Sequence, residues 1–358
     1  MKSFRHQSLP GRVLFGFGTL ADLPSEAQAL GLGRLLVLST PAQADAAQRV
    51  VSMLGERAVD AFTGARMHTP VEVTEQALAV AHDLRADGVV AIGGGSTTGL
   101  AKAIALRTDL PQIIIPTTYA GSEVTPILGE TQNGRKTTQS TRKVLPEVVI
   151  YDVDLTFELP VGMSVTSGFN AVAHAAEALY AKDGSPVVDL LAQEGVRALM
   201  TALPRIAHDP LDALGRSDAL YGCWLCGTCL GTVGMSLHHK LCHTLGGTFD
   251  LPHAETHTVI LPHALGYNLS AAPGARERLS QAMSGGEPSR VLYELARQLG
   301  APIALRDIGM PEDGIARAAD LAVQHPYWYP RPVERDAITA MLRRAWAGEP
   351  PVIDQALS

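Results

Sequence analysis

The chain has 358 residues, 46% hydrophobic and 18% charged, with a formal net charge of -7 and a pI near 5.9. This composition indicates a well-buried globular protein, and the length favours two domains. The acidic balance argues against a nucleic-acid partner, and without a long apolar run or a secretory signal pattern we expect neither a membrane span nor export. We therefore expect a cytoplasmic enzyme.

The first half alternates short apolar runs with helical patterns. Helical spacing covers 70–87, where Pro70 marks the start. A polar stretch at 133–146 predicts an exposed loop or hairpin. Strands are predicted at 34–40, 88–95, 112–118 and 147–152. Because the strands are continuously apolar and separated by helices, they should be parallel and buried on both faces.

From about residue 160 the strand pattern disappears. Helices are predicted at 168–182, 185–203, 215–236 and 289–299. The sequence therefore predicts an α/β domain over 1–158 and an all-helical domain over 159–358. We expect the active site in the cleft between them.

A glycine loop follows the second predicted strand in "VVAIGGGSTTGLAKAIAL". Glycines permit close backbone approach, and a helix N-terminus offers free N–H groups to a pyrophosphate. The candidate cofactor residues here are Gly93, Gly94, Gly95 and Ser96. A second polar loop, "IPTTYAGSEVTP", supplies candidates for the nicotinamide side of the same site: Thr117, Thr118, Tyr119 and Ser122. A tight turn without a ligand is the alternative for both loops.

Histidines are concentrated in "SLHHKLCHTLGGTFDLPH", residues 236–253. His239 and His243 are four apart and share a helix face, and His253 follows after a Gly-Gly pair. A metal site, a proton-handling site and a helix that merely carries histidines all fit this pattern.

Three cysteines just upstream, Cys223, Cys226 and Cys229, form C-x-x-C-x-x-C, and Cys242 follows. Their apolar surroundings favour a buried helix with core cysteines over a zinc or iron–sulfur cluster.

Several motifs in order, "FGFG", "GGGSTTGLAK", "PTTYAGSEVT", "NAVAHAAEALY" and "HHKLCHTLGGTFDLPH", resemble the iron-containing (group III) alcohol dehydrogenase family. The resemblance implies a dehydroquinate synthase-like fold, in which an α/β dinucleotide-binding domain precedes an all-α domain. It also implies an NADH or NADPH site in the cleft and a homodimer. Within the family, "GFNAVAHAAEALYA", "HALGYN" and "RPVERDAI" are most similar to the branch that reduces maleylacetate during aromatic-compound degradation.

The metal ligands implied by this resemblance are Asn170, His174, His239 and His253. The first is an aspartate in the wider family, and its neutral amide brings no charge to hold a cation. We therefore expect a metal to be absent or weakly bound.

Two other positions also lack the family's acidic residue. Gly99 replaces the aspartate of the glycine loop, and Ser39 and Thr40 end the first predicted strand where an acid often binds the adenosine ribose. Without that carboxylate nothing repels a 2′-phosphate, so we expect both NADH and NADPH to be accepted. The neutral residues at 99 and 170 would also suit a dianionic substrate.

The site roles are hypotheses. His243 and His253 are the leading candidates to polarise the substrate carbonyl and deliver a proton. His174 and His239 would complete the donors, with Asn170 orienting one of them. The candidate substrate contacts are His238, Lys240 and His257.

Three alternatives remain open at this point. The first is a metal-dependent alcohol dehydrogenase that keeps Asn170 as a ligand. The second is a metal or cluster module built on the four cysteines. The third is a nucleotide-binding protein without catalytic activity.

Overall fold

The computed structural model describes residues 4–324 and 327–353, which divide into two compact units. Ser8–Leu159 forms an α/β unit, and Pro160 onward, together with the segment before Ser8, forms a helical unit. The predicted fold class is therefore confirmed. The boundary at residue 158 stays a prediction, and the units divide between Leu159 and Pro160.

The α/β unit is built on a parallel six-stranded sheet. Its strands are β1 (Arg12–Gly16), β2 (Leu35–Leu38), β3 (Ala58–Phe62), β4 (Gly88–Gly93), β5 (Gln112–Pro116) and β8 (Val148–Asp152). The spatial order is β1-β8-β5-β4-β2-β3. From β2 the chain goes to β3 on one side and then returns to β4 on the other. This reversal opens a crevice at the carboxyl ends of β2 and β4, where ligands bind in open α/β sheets.

An antiparallel hairpin separates β5 from β8. It consists of β6 (Ile127–Gln132) and β7 (Arg135–Ser140), so the hairpin alternative for 133–146 is confirmed.

Helices cover both faces of the sheet. They are α1 (Leu23–Ala29), α2 (Ala44–Leu54), α3 (Val71–Asp83) and α4 (Gly95–Thr108). Leu23 of α1 and Val50 of α2 pack with Val37, Val90 and Ile115 in one fully buried cluster. Pro70 precedes α3 as predicted.

The helical unit begins immediately after Pro160. Its helices are α5 (Val161–Ala178), α6 (Pro186–His208), α7 (Ala213–Thr232), α8 (Leu237–Phe249), α9 (His253–Asn268), α10 (Pro273–Ala282), α11 (Pro288–Gln298), α12 (Gly314–Val323) and α13 (Arg335–Ala347). The first predicted helix, 168–182, actually starts at Val161. Its first turns were missed because they are polar, and Ser164 and Thr166 return their hydroxyls to the carbonyls of Pro160 and Gly162.

The predicted helix 215–236 is interrupted. It ends at Thr232, and Val233 is extended (φ -130, ψ 163). The chain therefore turns, and α8 starts at Leu237 with a 93° bend relative to α7. No single helix among the described residues is long and apolar enough to cross a membrane. Only α7 and α8 meet those criteria, and only when counted together as a bent pair.

Candidate active site

The glycine loop joins β4 to α4, with Gly94 as the residue that caps the helix. Gly93 has φ 147, and a Cβ there would lie 2.6 Å from both Gln43 Oε1 and Thr97 Oγ1, so only glycine fits. A Cβ on Gly95 would meet nothing within 4 Å. Thr97 Oγ1 is buried and has no hydrogen-bond partner among the described residues. The loop thus combines open space at a helix N-terminus with an unpaired buried hydroxyl, which suits an anionic ligand.

Gln43 connects three strand ends at the crevice between β2 and β4. Its Nε2 donates to Thr117 Oγ1 after β5 (2.9 Å), and its Oε1 accepts from Thr40 Oγ1 after β2 (3.3 Å). Thr117 N in turn donates to the carbonyl of Gly93 (3.0 Å). Gln43 has no signal in the local sequence, because the partner of its amide, Thr117, is 74 positions away.

The second polar loop is held by a buried lysine. Lys102 Nζ donates to the carbonyls of Ser122 (2.5 Å), Thr125 (2.7 Å) and Ile127 (3.0 Å). Burial lowers the pKa of Lys102 to about 7, and Glu123 opposes that shift. The surrounding oxygen acceptors also favour the ammonium form. Lys102 was missed too, although a lysine inside the apolar run "GLAKAIAL" was a signal.

Other cofactor candidates differ in exposure. Ser96 and Thr118 are partly exposed, whereas Tyr119 is fully buried. Ser39 is also fully buried, and its Oγ donates to the carbonyl of Thr40 (3.1 Å). Thr40 is the more accessible of the two residues that end β2.

Gly99 has a steric neighbour that explains the missing aspartate. A Cβ at this position would collide with the hydroxyl of Thr69. Thr69 is buried and has φ 46, a conformation that is unfavourable for a β-branched residue. An aspartate cannot occupy position 99 while Thr69 keeps this conformation.

In the helical unit, α5, α8 and α9 bring six histidines together as the histidine cluster: His174, His238, His239, His243, His253 and His257. Ring centroids of His174 and His239 are 5.2 Å apart, and those of His253 and His257 are 4.3 Å apart. His239 and His243 are 6.1 Å apart. The motif's histidines therefore meet in space, although His243 and His253 are exposed and the other four are buried.

Glu177 orders this cluster and was not predicted. Its carboxylate is fully buried and accepts N–H bonds from Ser236 (2.7 Å) and His238 (2.7 Å) at the start of α8. The same carboxylate lies 2.7 Å from His239 Nδ1. A carboxylate at Nδ1 fixes the orientation of the ring and leaves Nε2 on the side away from Glu177.

Several buried polar atoms at the cluster have no hydrogen-bond partner among the described residues: Asn170 Oδ1, His174 Nδ1, His238 Nδ1, His239 Nε2 and His257 Nε2. Burial, followed by the neighbouring imidazoles, lowers the pKa values of His174, His238 and His257 well below the usual range. These three rings are therefore neutral near pH 7. The site offers uncharged polar atoms to a ligand, beside one carboxylate that is already engaged.

The candidate substrate contacts also differ in placement. His238 Nε2 and His257 Nδ1 are 2.9 Å apart, and both side chains are fully buried. This arrangement does not favour a contact with a substrate carboxylate. Lys240 is half-buried, and its Nζ lies 5.9 Å from the ring centre of Tyr327. His243 Nδ1 lies 3.2 Å from the hydroxyl of the same tyrosine.

The rings of the ligands implied by the resemblance are neighbours, but their donor atoms do not form one compact group. Among the described residues, one group of three histidine, cysteine or carboxylate atoms lies within 4.8 Å, and it is His238, Cys242 and His257. His174, His239 and His253 do not form such a group, and Asn170 adds no charge. In this arrangement the four side chains lack both the compact set of donor atoms and the charged ligand that a divalent cation favours.

The four cysteines do not form a cluster site. Cys223, Cys226 and Cys229 are fully buried in α7, and burial raises the pKa of Cys226 well above its usual range. Cys242 lies elsewhere, with its Sγ 3.6 Å from His238 Nε2. The core interpretation of the α7 cysteines is the one their surroundings support.

An open α/β sheet with a glycine loop at a helix N-terminus is typical of nucleotide-binding enzymes, and comparison with known proteins identifies the family. The model for "Iron-containing alcohol dehydrogenase" matches residues 10–153, and that for "Fe-containing alcohol dehydrogenase family, C-terminal" matches 164–346. The chain belongs to the iron-containing alcohol dehydrogenase family and is an oxidoreductase.

Individual relatives are more specific. The maleylacetate reductase of Sphingobium indicum is 56% identical, with 98% of this chain and 99% of the relative covered. The crystal structure of maleylacetate reductase from Rhizobium sp. strain MTP-10005 superposes with a TM-score of 0.95 at 55% identity, covering 98% and 100% of the chains. An iron-containing alcohol dehydrogenase from Corynebacterium glutamicum gives 0.92 at 43% identity, covering 96% and 97%. The resemblance seen in the motifs is confirmed.

Proposed function

We propose that this protein reduces the carbon–carbon double bond of maleylacetate with NADH or NADPH, giving 3-oxoadipate. The observation that carries the proposal is the uncharged lining of the histidine cluster, with Asn170 where the wider family has an acid. The maleylacetate reductases that are 50–56% identical over nearly the whole chain support the same activity.

The substrate chemistry fits this lining. Maleylacetate carries two carboxylates and a double bond conjugated to a ketone. Hydride addition at the carbon remote from the ketone moves an electron pair onto the ketone oxygen and produces an enolate. Protonation of the adjacent carbon completes the reduction. An enolate is easier to reach than an alkoxide, so hydrogen-bond donors can stabilise it without a Lewis acid.

We propose that His239 contacts the ketone oxygen of the substrate. Its Nδ1 faces Glu177, so Nε2 would contact the oxygen on which charge develops and would donate to it when that nitrogen carries a proton. His174 and Asn170 would supply neutral contacts beside it. The exposed His243 and His253 can exchange protons with solvent, which suits them to deliver the proton that enters the product. Lys240 remains the candidate for a substrate carboxylate.

We assign cofactor binding to the α/β unit. NADH or NADPH bound there supplies the hydride. The N–H groups of Gly95 and Ser96 would bind the pyrophosphate, and Thr117 and Thr118 would contact the nicotinamide half. Because the end of β2 has Thr40 in place of an acid, we expect kcat/KM for NADH and NADPH to differ by less than ~100-fold, about 2.7 kcal/mol.

The resemblance also supports a cytoplasmic homodimer that serves aromatic-compound degradation. Analytical ultracentrifugation of the purified chain tests the dimer directly, and a monomer at micromolar concentration would contradict it.

The deciding experiment follows NADH absorbance with protein treated with a chelator. Maleylacetate should cause rapid oxidation of NADH, while simple alcohols with NAD should give little reduction. If chelation abolishes turnover and Fe²⁺ or Zn²⁺ restores it, the metal-independent part of the proposal is wrong. If maleylacetate is not reduced under either condition, the substrate assignment is wrong.

A further inference from the structure

Three buried side chains of the helical unit converge beside the histidine cluster: His238, Cys242 and His257. We propose that they form a binding site for a soft divalent cation such as Zn²⁺ or Cd²⁺, and that occupation of this site inhibits the enzyme. The site shares no residue with the ligand set that the family resemblance implies.

The geometry is close to that of a bound cation. His238 and Cys242 are four apart on α8 and so share a helix face, while His257 comes from the adjacent α9. Cys242 Sγ lies 3.6 Å and His257 Nδ1 lies 2.9 Å from His238 Nε2. Zinc bound tetrahedrally by sulfur at about 2.3 Å and nitrogen at about 2.0 Å separates such ligands by roughly 3.3–3.6 Å. Two of the three separations therefore agree with such a site to within about half an ångström, and the third, from Cys242 Sγ to the His257 ring, is below 4.8 Å.

The donor types select the cation. One thiolate and two imidazoles suit Zn²⁺, Cd²⁺ or Co²⁺ and disfavour Mg²⁺ and Ca²⁺, which prefer oxygen. Binding replaces the thiol proton, which leaves to solvent, and forms a sulfur–metal bond without any oxidation or reduction. The thiolate would balance one of the two charges of the cation, and a bound cation deprotonates a coordinating thiol even where burial raises its pKa, as it does for Cys242.

Inhibition follows from the neighbours of His257. Its ring centroid is 4.3 Å from that of His253 and 5.1 Å from that of His239. A cation at Nδ1 would fix the His257 ring and place positive charge beside His239, which contacts the ketone oxygen in the proposed reaction, and beside His253, a candidate for delivering the proton. We expect Zn²⁺ to lower kcat reversibly, with recovery on chelation.

Cobalt titration of the chelator-treated full chain tests the site without using turnover. We expect about one equivalent of Co²⁺ to produce a thiolate-to-cobalt charge-transfer band, which Zn²⁺ then removes. Cys242→Ser should abolish the band. Cys226→Ser, which changes an equally buried cysteine of α7, should keep it. In turnover assays, Cys242→Ser should be at least ~10-fold less sensitive to Zn²⁺ than the unmodified protein.

Two results would overturn the proposal: no band in the unmodified protein, or a band of equal intensity in Cys242→Ser. Cys242→Ala and His257→Asn provide the same test if the serine variant does not fold, as judged by circular dichroism. The absorption readout needs neither maleylacetate nor NADH. The cobalt titration would therefore still test the metal site even if the protein did not reduce maleylacetate.

Discussion

Replacing Glu177 by glutamine tests whether this carboxylate positions the His239 ring for its proposed contact with the substrate. Glutamine keeps the volume and one oxygen but replaces the other with an amide nitrogen. The carboxylate now accepts from the N–H groups of Ser236 and His238, both at 2.7 Å, and also contacts the His239 ring. The single oxygen of a glutamine amide can accept from the donors at only one of these two positions. At the other position the amide N–H group would point at an N–H donor.

Two effects should follow from Glu177→Gln. The free energy of unfolding should fall by about 2–4 kcal/mol, because a charged hydrogen bond is lost and a buried donor is left unpaired. The kcat for maleylacetate should fall by ~10²–10³-fold, because the His239 ring loses the carboxylate that orients it. The KM for NADH should change little, since Glu177 lies in the helical unit and the cofactor residues lie in the α/β unit.

The matched control is Asp212→Asn. Asp212 caps α7 by accepting from the N–H groups of Leu214 and Gly215, both at 3.1 Å. Asparagine caps a helix about as well as aspartate, so this change should alter stability little and leave kcat within ~2-fold. Both variants are assayed well below their melting temperatures. If Glu177→Gln retains kcat within ~3-fold of the unmodified protein, Glu177 is only a helix cap and the proposed role of His239 is refuted.

Three further changes test other parts of the site. Gly95→Ala should preserve the melting temperature but raise the NADH dissociation constant at least ~10-fold, about 1.4 kcal/mol, by filling the anion space; Gly274→Ala, another first-turn helix glycine with nothing within 4 Å, should leave both unchanged. Burial lowers the pKa of His263 from 6.5 to about 4, so below pH 6.5 the unfolded chain binds a proton that the folded chain does not. The free energy of unfolding lost between pH 6.5 and 5 should therefore be about 1.6 kcal/mol smaller in His263→Leu than in the unmodified protein, and equal losses in the two would contradict the burial of a neutral His263. Asn170→Asp should lower kcat/KM for maleylacetate by ~100-fold, since two like charges at ~6 Å repel by about 3 kcal/mol at an effective dielectric constant of 20. Asn170→Ala controls for the lost amide, and equal kcat/KM for the two variants would contradict the electrostatic argument.

The central strands were predictable and the outer ones were not. β2, β4, β5 and β8 are buried on both faces, so each is a continuous apolar run in the sequence. In contrast, β3 ("AVDAF") lies at the sheet edge, is only partly buried and contains an exposed Asp60. Such a strand has no apolar pattern of its own, because its pairing with β2 rather than its burial defines it.

The histidines of the site could be identified from local motifs, but the residues that organise them could not. Glu177 contacts backbone groups 59 to 61 positions later, at the start of a helix whose exact first residue was unknown. Gln43 likewise contacts Thr117 only after the sheet brings two loops together. Short-range patterns locate the chemically reactive side chains, while long-range hydrogen bonds become apparent only from the fold.

The neutral residues at 99 and 170 have different physical explanations. Both were expected to reflect repulsion of a dianionic substrate. At Gly99 the reason is steric, because any side chain would collide with the Thr69 hydroxyl, and Thr69 itself is held at φ 46. At Asn170 no collision is involved; its amide is buried, and its Oδ1 has no hydrogen-bond partner among the described residues. The electrostatic argument therefore rests on Asn170 alone, and restoring the acid at 99 without first replacing Thr69 would test packing rather than charge.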